Sequence, residues 1–399
     1  MKIEHCIAKP ILDTRSLPTL ETTLQADVFS AIASVPSGKS TGRHEALELR
    51  SVDGDVNQAI ENVNGEIARA LAGREFNSAD DIDALLLELD GTPDKSHLGA
   101  NAILSVSIAA MRLFALNDGV PLWSAVAKRA GTTPRAPRLF INVMNGGAHA
   151  DFKLPFQEYL LVIEGKTSDA LPKAKKAFDG LGARLRAEEP DVPMGDEGGY
   201  APTFGVLEQP FELLAELAKE FPGTSIAIDA AASELFHDGS YHLLGKSYSA
   251  EELTVIYDSI VARFPIHSIE DPFAEDADDD FTKITAALGG KTLIIGDDLT
   301  VTNAARIKDA AARKEINAVL IKPNQVGTVR EAIEAVQATY AEGFAAVASH
   351  RSGETADTFI ADFAYGIGAH GIKAGGFGQH ERLAKYNRLL AIEREAEAI

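Results

Sequence analysis

The sequence predicts an α/β fold: a (β/α)8-type barrel preceded by a smaller N-terminal α+β domain. Three observations carry that expectation. From about residue 139 onward, short apolar runs end abruptly in a charged or polar residue, each followed by turn chemistry and a helical pattern. The residues at the run ends, Asp229, Glu270, Asp297, Lys322, His350 and Lys373, are 41, 27, 25, 28 and 23 residues apart, the length of one strand plus one crossover helix. The runs are continuous rather than alternating, as expected of parallel strands covered on both faces. A doubly wound open sheet gives a similar alternation but scatters its strand ends along an edge, whereas a barrel delivers them to one mouth. Six charged ends in succession favour the barrel.

In chain order, "TLETTLQADVF" (Thr19 to Phe29) reads as strand, and "VNQAIENVNGEIARALAG" and "ANAILSVSIAAMRLFALNDG" read as helices, which makes residues 1–128 a small α+β unit. Residues 129–138 contain "AGTTPRAPR", rich in turn formers and basic residues, and read as a linker. Residues 139–399 are the barrel domain. "LFINVMNGGAH" and "QEYLLVIEG" supply two strands, and "MGDEGG" (Met194 to Gly199) reads as a further strand end. "SIAID", "IHSIED", "LIIGDD", "AVLIK", "AAVASH" and "GIK" follow.

The formal net charge of −21 argues against a nucleic-acid partner or an anionic membrane surface, both of which call for a basic footprint. Cys6 is the single cysteine, so an internal disulfide and a thiolate zinc site are excluded. A reducing, cytoplasmic setting fits, and "MKIEHCIAKP" lacks the apolar core of a secretory signal. The uncharged stretch Gly99 to Met111 is too short to span a bilayer and reads as a buried helix.

"VPSGKSTG" (Val35 to Gly42) shares letters with a nucleotide phosphate loop. That loop requires a glycine where Ala33 stands, and Pro36 removes an N–H from the cradle. The match is therefore read as chance.

The chemistry gathers at the predicted mouth. Asp229, Glu270 and Asp297 offer hard oxygen donors from three successive strand ends. Each alone could be a helix N-cap, but three together suit Mg²⁺ better than zinc. Lys322 and Lys373 follow; either could be a structural counter-ion, and a buried lysine near cations is pushed toward its neutral form, which makes Lys322 a candidate general base. Glu158, after Gln157, and Glu197, in "GDEGG", are candidates for handling the leaving-group proton. His149 and His350 could be ordinary core histidines. Arg351 and Ser352 form a short anion-binding pair suited to a phosphate or carboxylate. Together these groups could remove a weakly acidic proton next to a carboxylate and expel hydroxide as water.

With "VPSGKSTGRHEALELR", "GANAILSVS", "NGGAHA", "GDEGGYAP", "AIDAAASE", "SIEDPF", "GDDLTVTN", "LIKPNQVGT", "SHRSGET" and "ERLAKYNRLL", the chain resembles the enolases, the glycolytic 2-phosphoglycerate dehydratases, through nearly its whole length. The resemblance implies that Asp229, Glu270 and Asp297 hold one Mg²⁺, and that Ser40, on a mobile loop, reaches a second when substrate is bound. It also implies that Lys322 takes the C2 proton and that Glu197 with Glu158 assists departure of the C3 hydroxyl. Lys373 would neutralise the substrate carboxylate, Arg351 and Ser352 would bind its phosphate, and Gln157, His149 and His350 would line the closed site. The partner implied is a small phosphorylated carboxylate, and the assembly a homodimer or larger. Lys39 departs from the family loop, commonly "SGAST"; "RSLPT" (Arg15 to Thr19) and "QHER" (Gln379 to Arg382) are further departures. Two alternatives stand beside this expectation: a divergent enolase-like enzyme acting on an analogous phosphorylated or phosphonate hydroxy acid, and a non-catalytic scaffold on the same fold.

Overall fold

A computed structural model describes residues 1–150 and 152–398. The chain opens with a three-stranded antiparallel sheet of β1 (Ile3–Leu12), β2 (Pro18–Ala26) and β3 (Phe29–Ser34), in spatial order 1-2-3. The segment read as one strand, Thr19 to Phe29, is instead two. The chain reverses at Asp27, whose φ of 50° places it in the left-handed region that Asp tolerates in tight turns. Leu20, Thr22, Leu24 and Ala26 alternate inward along β2, onto the helix Ala100–Asn117. By length and composition that helix could cross a membrane, but 78% of it is buried inside the protein; its Ser105 Oγ lies 2.6 Å from Thr22 Oγ. The helix Ala79–Asp90 begins with a reciprocal cap between Ser78 and Asp81 and stops at Gly91, whose φ is 66°.

Eight strands then close a barrel: β4 (Arg138–Asn145), β5 (Glu158–Ile163), β6 (Thr224–Asp229), β10 (Ile266–Glu270), β11 (Leu293–Gly296), β12 (Ala318–Ile321), β13 (Ala345–Ser349) and β14 (Gly371–Lys373). A small hairpin sheet, β7 (Phe236–His237), β8 (Ser240–Leu243) and β9 (Lys246–Tyr248), projects between β6 and β10. The barrel is not wholly parallel. β5 pairs antiparallel with both β4 and β6, because only a short connection joins β4 to β5 and leaves no room for a crossover helix. "MGDEGG" is not a strand end: it lies in a turn-rich loop that closes on itself through a bridge of Met194 with Tyr200 and touches the barrel through one of Tyr200 with Met144. The three glycines of that stretch leave too few side chains for a strand to pack with.

Side-chain alternation explains how the strands build both a core and a site. Phe140, Leu160, Val162, Ala227, Ile295, Ala318, Leu320 and Val347 form one buried apolar cluster. Two residues further toward the mouth, the same columns carry Asn142, Glu158, Asp229, Asp297, Lys322 and Ser349. The apolar plug and the polar site are thus successive layers of one inward-facing pattern. A larger core lies between the strands, the helices and the N-terminal unit.

The N-terminal unit is fastened beside the mouth. Ser37 and Gly353 exchange backbone hydrogen bonds of 2.8 and 2.9 Å, Ser34 Oγ meets Thr355 Oγ1 at 2.8 Å, and the Arg112 guanidinium grips Asp357 with two N–H donors.

Candidate active site

Strand register sets the centre of the site. Glu158 pairs with Asp229 across β5 and β6, and Asp229 pairs with Glu270 across β6 and β10, so three carboxylates stand in one row. Glu158 is there because β5 runs backwards: its first residue, not its last, is at the mouth. Lys373, the last residue of β14, reaches this row from the far side. Its Nζ lies 2.9 Å from Glu158, 3.1 Å from Asp229, and 2.9 and 3.0 Å from the two Glu270 oxygens.

A polar cavity opens above. Twelve of the thirteen residues singled out from the sequence line it: Ser40, His149, Gln157, Glu158, Glu197, Asp229, Asp297, Lys322, His350, Arg351, Ser352 and Lys373. Glu270 lies behind Lys373, out of the lining.

Charge is distributed unevenly. Burial, then the Glu197 charge, pushes the Glu158 carboxyl well above its usual range against the pull of Lys373. Burial likewise opposes ionisation of Glu197, but His350, His149, Arg382 and Lys373 together outweigh it and hold that carboxyl well below its usual range. The two imidazoles are themselves held low by burial. The Glu197 charge opposes that fall, and Arg382 and Lys373 are the cations beside it that do not depend on the imidazoles. Asn142 Nδ2 donates to both carboxylates, at 3.0 Å to Glu158 and 3.1 Å to Glu197. Oxygens of the two and a His149 nitrogen lie within 4.8 Å of one another. The result is an acid and a base held side by side, pushed apart in proton affinity by their surroundings.

The two lysines are held by different carboxylates. Burial favours the neutral form of Lys322, yet Asp297, paired directly with its Nζ, outweighs burial and raises its affinity for the proton. Lys373 is held well above its usual range by Asp229, Glu158 and Glu270, against burial. Lys322 thus has a carboxylate rather than a cation as its nearest neighbour, and that contact opposes the neutral form a base needs.

The donor set fits a hard divalent cation. Asp229, Glu270 and Asp297 present only carboxylate oxygens from three adjacent strands, beside the orphaned buried Gln157 Oε1. Burial and then the Asp229 charge push Glu270 upward, the signature of a site short of positive charge. The closest acidic trio, however, is Asp271, Asp297 and Asp298, with oxygens within 4.8 Å of one another. Burial, then Asp297, pushes the Asp298 carboxyl up to about 8. The backbone N–H groups of Asp297 and Asp298 both donate to Asp271, at 2.9 and 2.8 Å.

Several contributors were invisible in the one-dimensional pattern. Asn142 sits mid-strand with no charge to mark it. Arg382 is fully buried and its guanidinium donates to the backbone oxygens of Asp196, Arg351 and Ser352 and to His350 Nδ1, tying two loops of the mouth to the last helix, His380–Glu397. That contact at Nδ1 assigns the His350 proton to Nε2, 3.6 Å from Glu197. Glu45 holds Arg351 through both guanidinium nitrogens, at 2.9 and 3.1 Å. The only available signal for these three was their placement in strings already singled out.

Comparison with known proteins gives a single answer. Residues 3–126 match the family model described as "Enolase, N-terminal domain", and residues 135–398 match "Enolase, C-terminal TIM barrel domain". Among similar curated proteins, "Enolase" of Methanopyrus kandleri is 43% identical over 97% of this chain and 94% of its own length. "Enolase" of Thermococcus gammatolerans is 42% identical over 100% of this chain and 96% of its own.

Proposed function

The chain belongs to the enolase family, and from that premise we propose how its side chains divide the labour of the family reaction. It is a hydro-lyase that dehydrates 2-phosphoglycerate to phosphoenolpyruvate and uses a divalent metal. The proposals concern the roles of its residues, the identity and number of the metal ions, and its assembly.

We assign Asp229, Glu270 and Asp297 to the tighter of two Mg²⁺ ions and Ser40 to the second. A cation held there supplies the positive charge that an enolate beside a carboxylate needs, and competes with Lys322 for Asp297. Lys322 Nζ takes the C2 proton; as a neutral amine it accepts the proton and leaves the electron pair on carbon. Lys373, kept cationic by its three carboxylates, faces the substrate carboxylate. Arg351 and Ser352 bind the phosphate, with the Arg351 fork held in place by Glu45. On the opposite side, Glu158 is the member of the glutamate pair that retains a proton, and Glu197 is the one that is ionised. A proton passed within this pair, on the shared Asn142 amide, leaves with the C3 hydroxyl as water. His149 and His350 enclose that step, and Gln157 completes the wall beside Asp229.

The observation that carries this reading is the row Glu158, Asp229, Glu270 around the Lys373 Nζ, with Lys322 on Asp297 opposite. We divide the chain at residues 129–138, between a 1–128 capping domain and the 139–399 catalytic barrel. We further propose a cytoplasmic homodimer or larger assembly. Exposed Ile7 and Ile32 flank half-buried Thr23, in register across β1, β2 and β3 of the first sheet; this supports a covered face there, and light scattering tests it.

The roles are tested by following enol absorbance with 2-phosphoglycerate and Mg²⁺. Lys322→Ala is expected to lower kcat by a factor of about 10² to 10⁴, the usual contribution of a general base. Turnover retained in this variant would remove Lys322 from the role.

A further inference from the structure

Residues 37–42 form a strap over the mouth. One edge of it is stitched to the loop after β13: besides the Ser37 and Gly353 backbone pair, the Lys39 N–H donates to Ser352 Oγ at 2.7 Å, and Arg351 Nη2 donates to the Ser40 carbonyl at 3.1 Å. The opposite edge faces the loops that carry His149 and Glu197. Among the described residues, one side chain of the strap hydrogen-bonds to those loops. Lys39 Nζ donates to Asp196 Oδ2 at 2.7 Å and to the Ala148 carbonyl at 2.9 Å. Each acceptor is one residue from a group that lines the cavity.

We propose that Lys39 is a positioning residue for the dehydration, an ion-paired strut that spans the mouth and holds Ser40 in place over the cavity while keeping the His149 and Glu197 loops opposed to Arg351. The strap's backbone bonds reach one lip only; without the strut, nothing polar among the described residues fixes its distance from the other. A single ammonium that satisfies a carboxylate on one loop and a carbonyl on the next also ties those two loops to each other. The pair is half open to solvent, with the Lys39 and Asp196 side chains 44% and 33% exposed. Its effect is therefore modest and salt-sensitive. A strap held closed only part of the time weakens apparent substrate affinity by the closed fraction, so the loss falls on KM.

This proposal rests on the dehydration reading, and the two can fail separately. Steady-state turnover of 2-phosphoglycerate is compared for the wild type, Lys39→Met, Lys39→Arg, Asp196→Asn and the double variant, at low and high KCl. Lys39→Met and Asp196→Asn are each expected to raise KM by about two- to fivefold, the range of an exposed ion pair, with little change in kcat. The double variant should be no worse than either single one, and Lys39→Arg should restore most of the loss. KCl should raise the wild-type KM more steeply than that of Lys39→Met. Unchanged KM in the single variants, or losses that simply add in the double, would overturn the strut while leaving the activity standing. A wild type that does not turn over this substrate at all would overturn the reading of the site. The strut would then be judged by hydrogen exchange of residues 37–42, which Lys39→Met should accelerate and which, if unaltered, removes it.

Discussion

At the foot of the barrel, away from the mouth, His267 and His370 stack with ring centroids 5.1 Å apart and Nε2 atoms 2.8 Å apart. Arg138 Nη1 lies 3.4 Å from His370 Nδ1. An arginine only donates, so His370 Nδ1 accepts, Nε2 carries the proton, and that proton goes to His267 Nε2. Protonating both rings would put two N–H groups and two charges face to face. Burial, then Arg138, pushes both rings down to about 4, with Glu164 opposing weakly. Between pH 6.5 and about 4 the unfolded chain therefore binds protons that the native pair refuses, and stability falls as pH falls through that window. Both residues are half-buried, so a loss of about 2 kcal/mol for each ring is the scale expected. Urea midpoints measured from pH 7 to pH 4 should show this decline. His267→Gln/His370→Gln should flatten it, and an equally steep decline in that variant would place the sensitivity elsewhere.

Elements carry the next lesson, through the strap and β5. Gly38 lies so close to Arg351 that a Cβ there would collide with its Nη2 and CZ atoms and approach the Ser40 carbonyl. Gly38→Ala should therefore push the strap off the mouth and disturb the phosphate side, raising KM by about tenfold or more, the effect of a misplaced group. Thermal unfolding should change little, because the strap is a loop outside both apolar cores; a large drop in Tm with unchanged KM would contradict this. The glycines of "VPSGKSTG" thus serve close packing rather than a phosphate nest. The reversal of β5 could not be read from its residues. "EYLLVI" is buried throughout, and a strand covered on both faces has the same composition whichever way it runs. The helices and the six later strands were legible because apolar length and terminal charge repeat. "MGDEGG" misled because loops that line a site also end in acids between glycines. The direct pairing of Lys322 with Asp297 was not legible either, because spacing along the chain does not say which neighbour of a lysine is nearest.

Across the whole molecule, most of the acidic residues behind the formal charge of −21 lie outside the core, and a few are placed where folding can least tolerate them. Glu158, Asp229, Glu270 and Asp297, at the mouth ends of the barrel strands, and Glu197 on a loop above them are all buried, against Lys322, Lys373, Arg351 and Arg382. Burial raises Glu158 and Glu270 well above their usual range, so this layer is the part of the fold held together most expensively. A cation that binds the native layer and finds no such arrangement in the unfolded chain must stabilise the protein by mass action. At a concentration 100 times its Kd the gain is about 2.7 kcal/mol. Spread over an unfolding entropy of about 2 cal/mol/K per residue, a chain of this length should melt about 3 °C higher. Scanning calorimetry with Mg²⁺, against NaCl at matched ionic strength, should show this rise, and a chelator should reverse it. Glu270→Gln removes one of the three donors without emptying the core and is expected to abolish most of the shift. A variant that still gains 3 °C would mean that Mg²⁺ stabilises the fold through its acidic surface and not through the row of carboxylates at the barrel mouth.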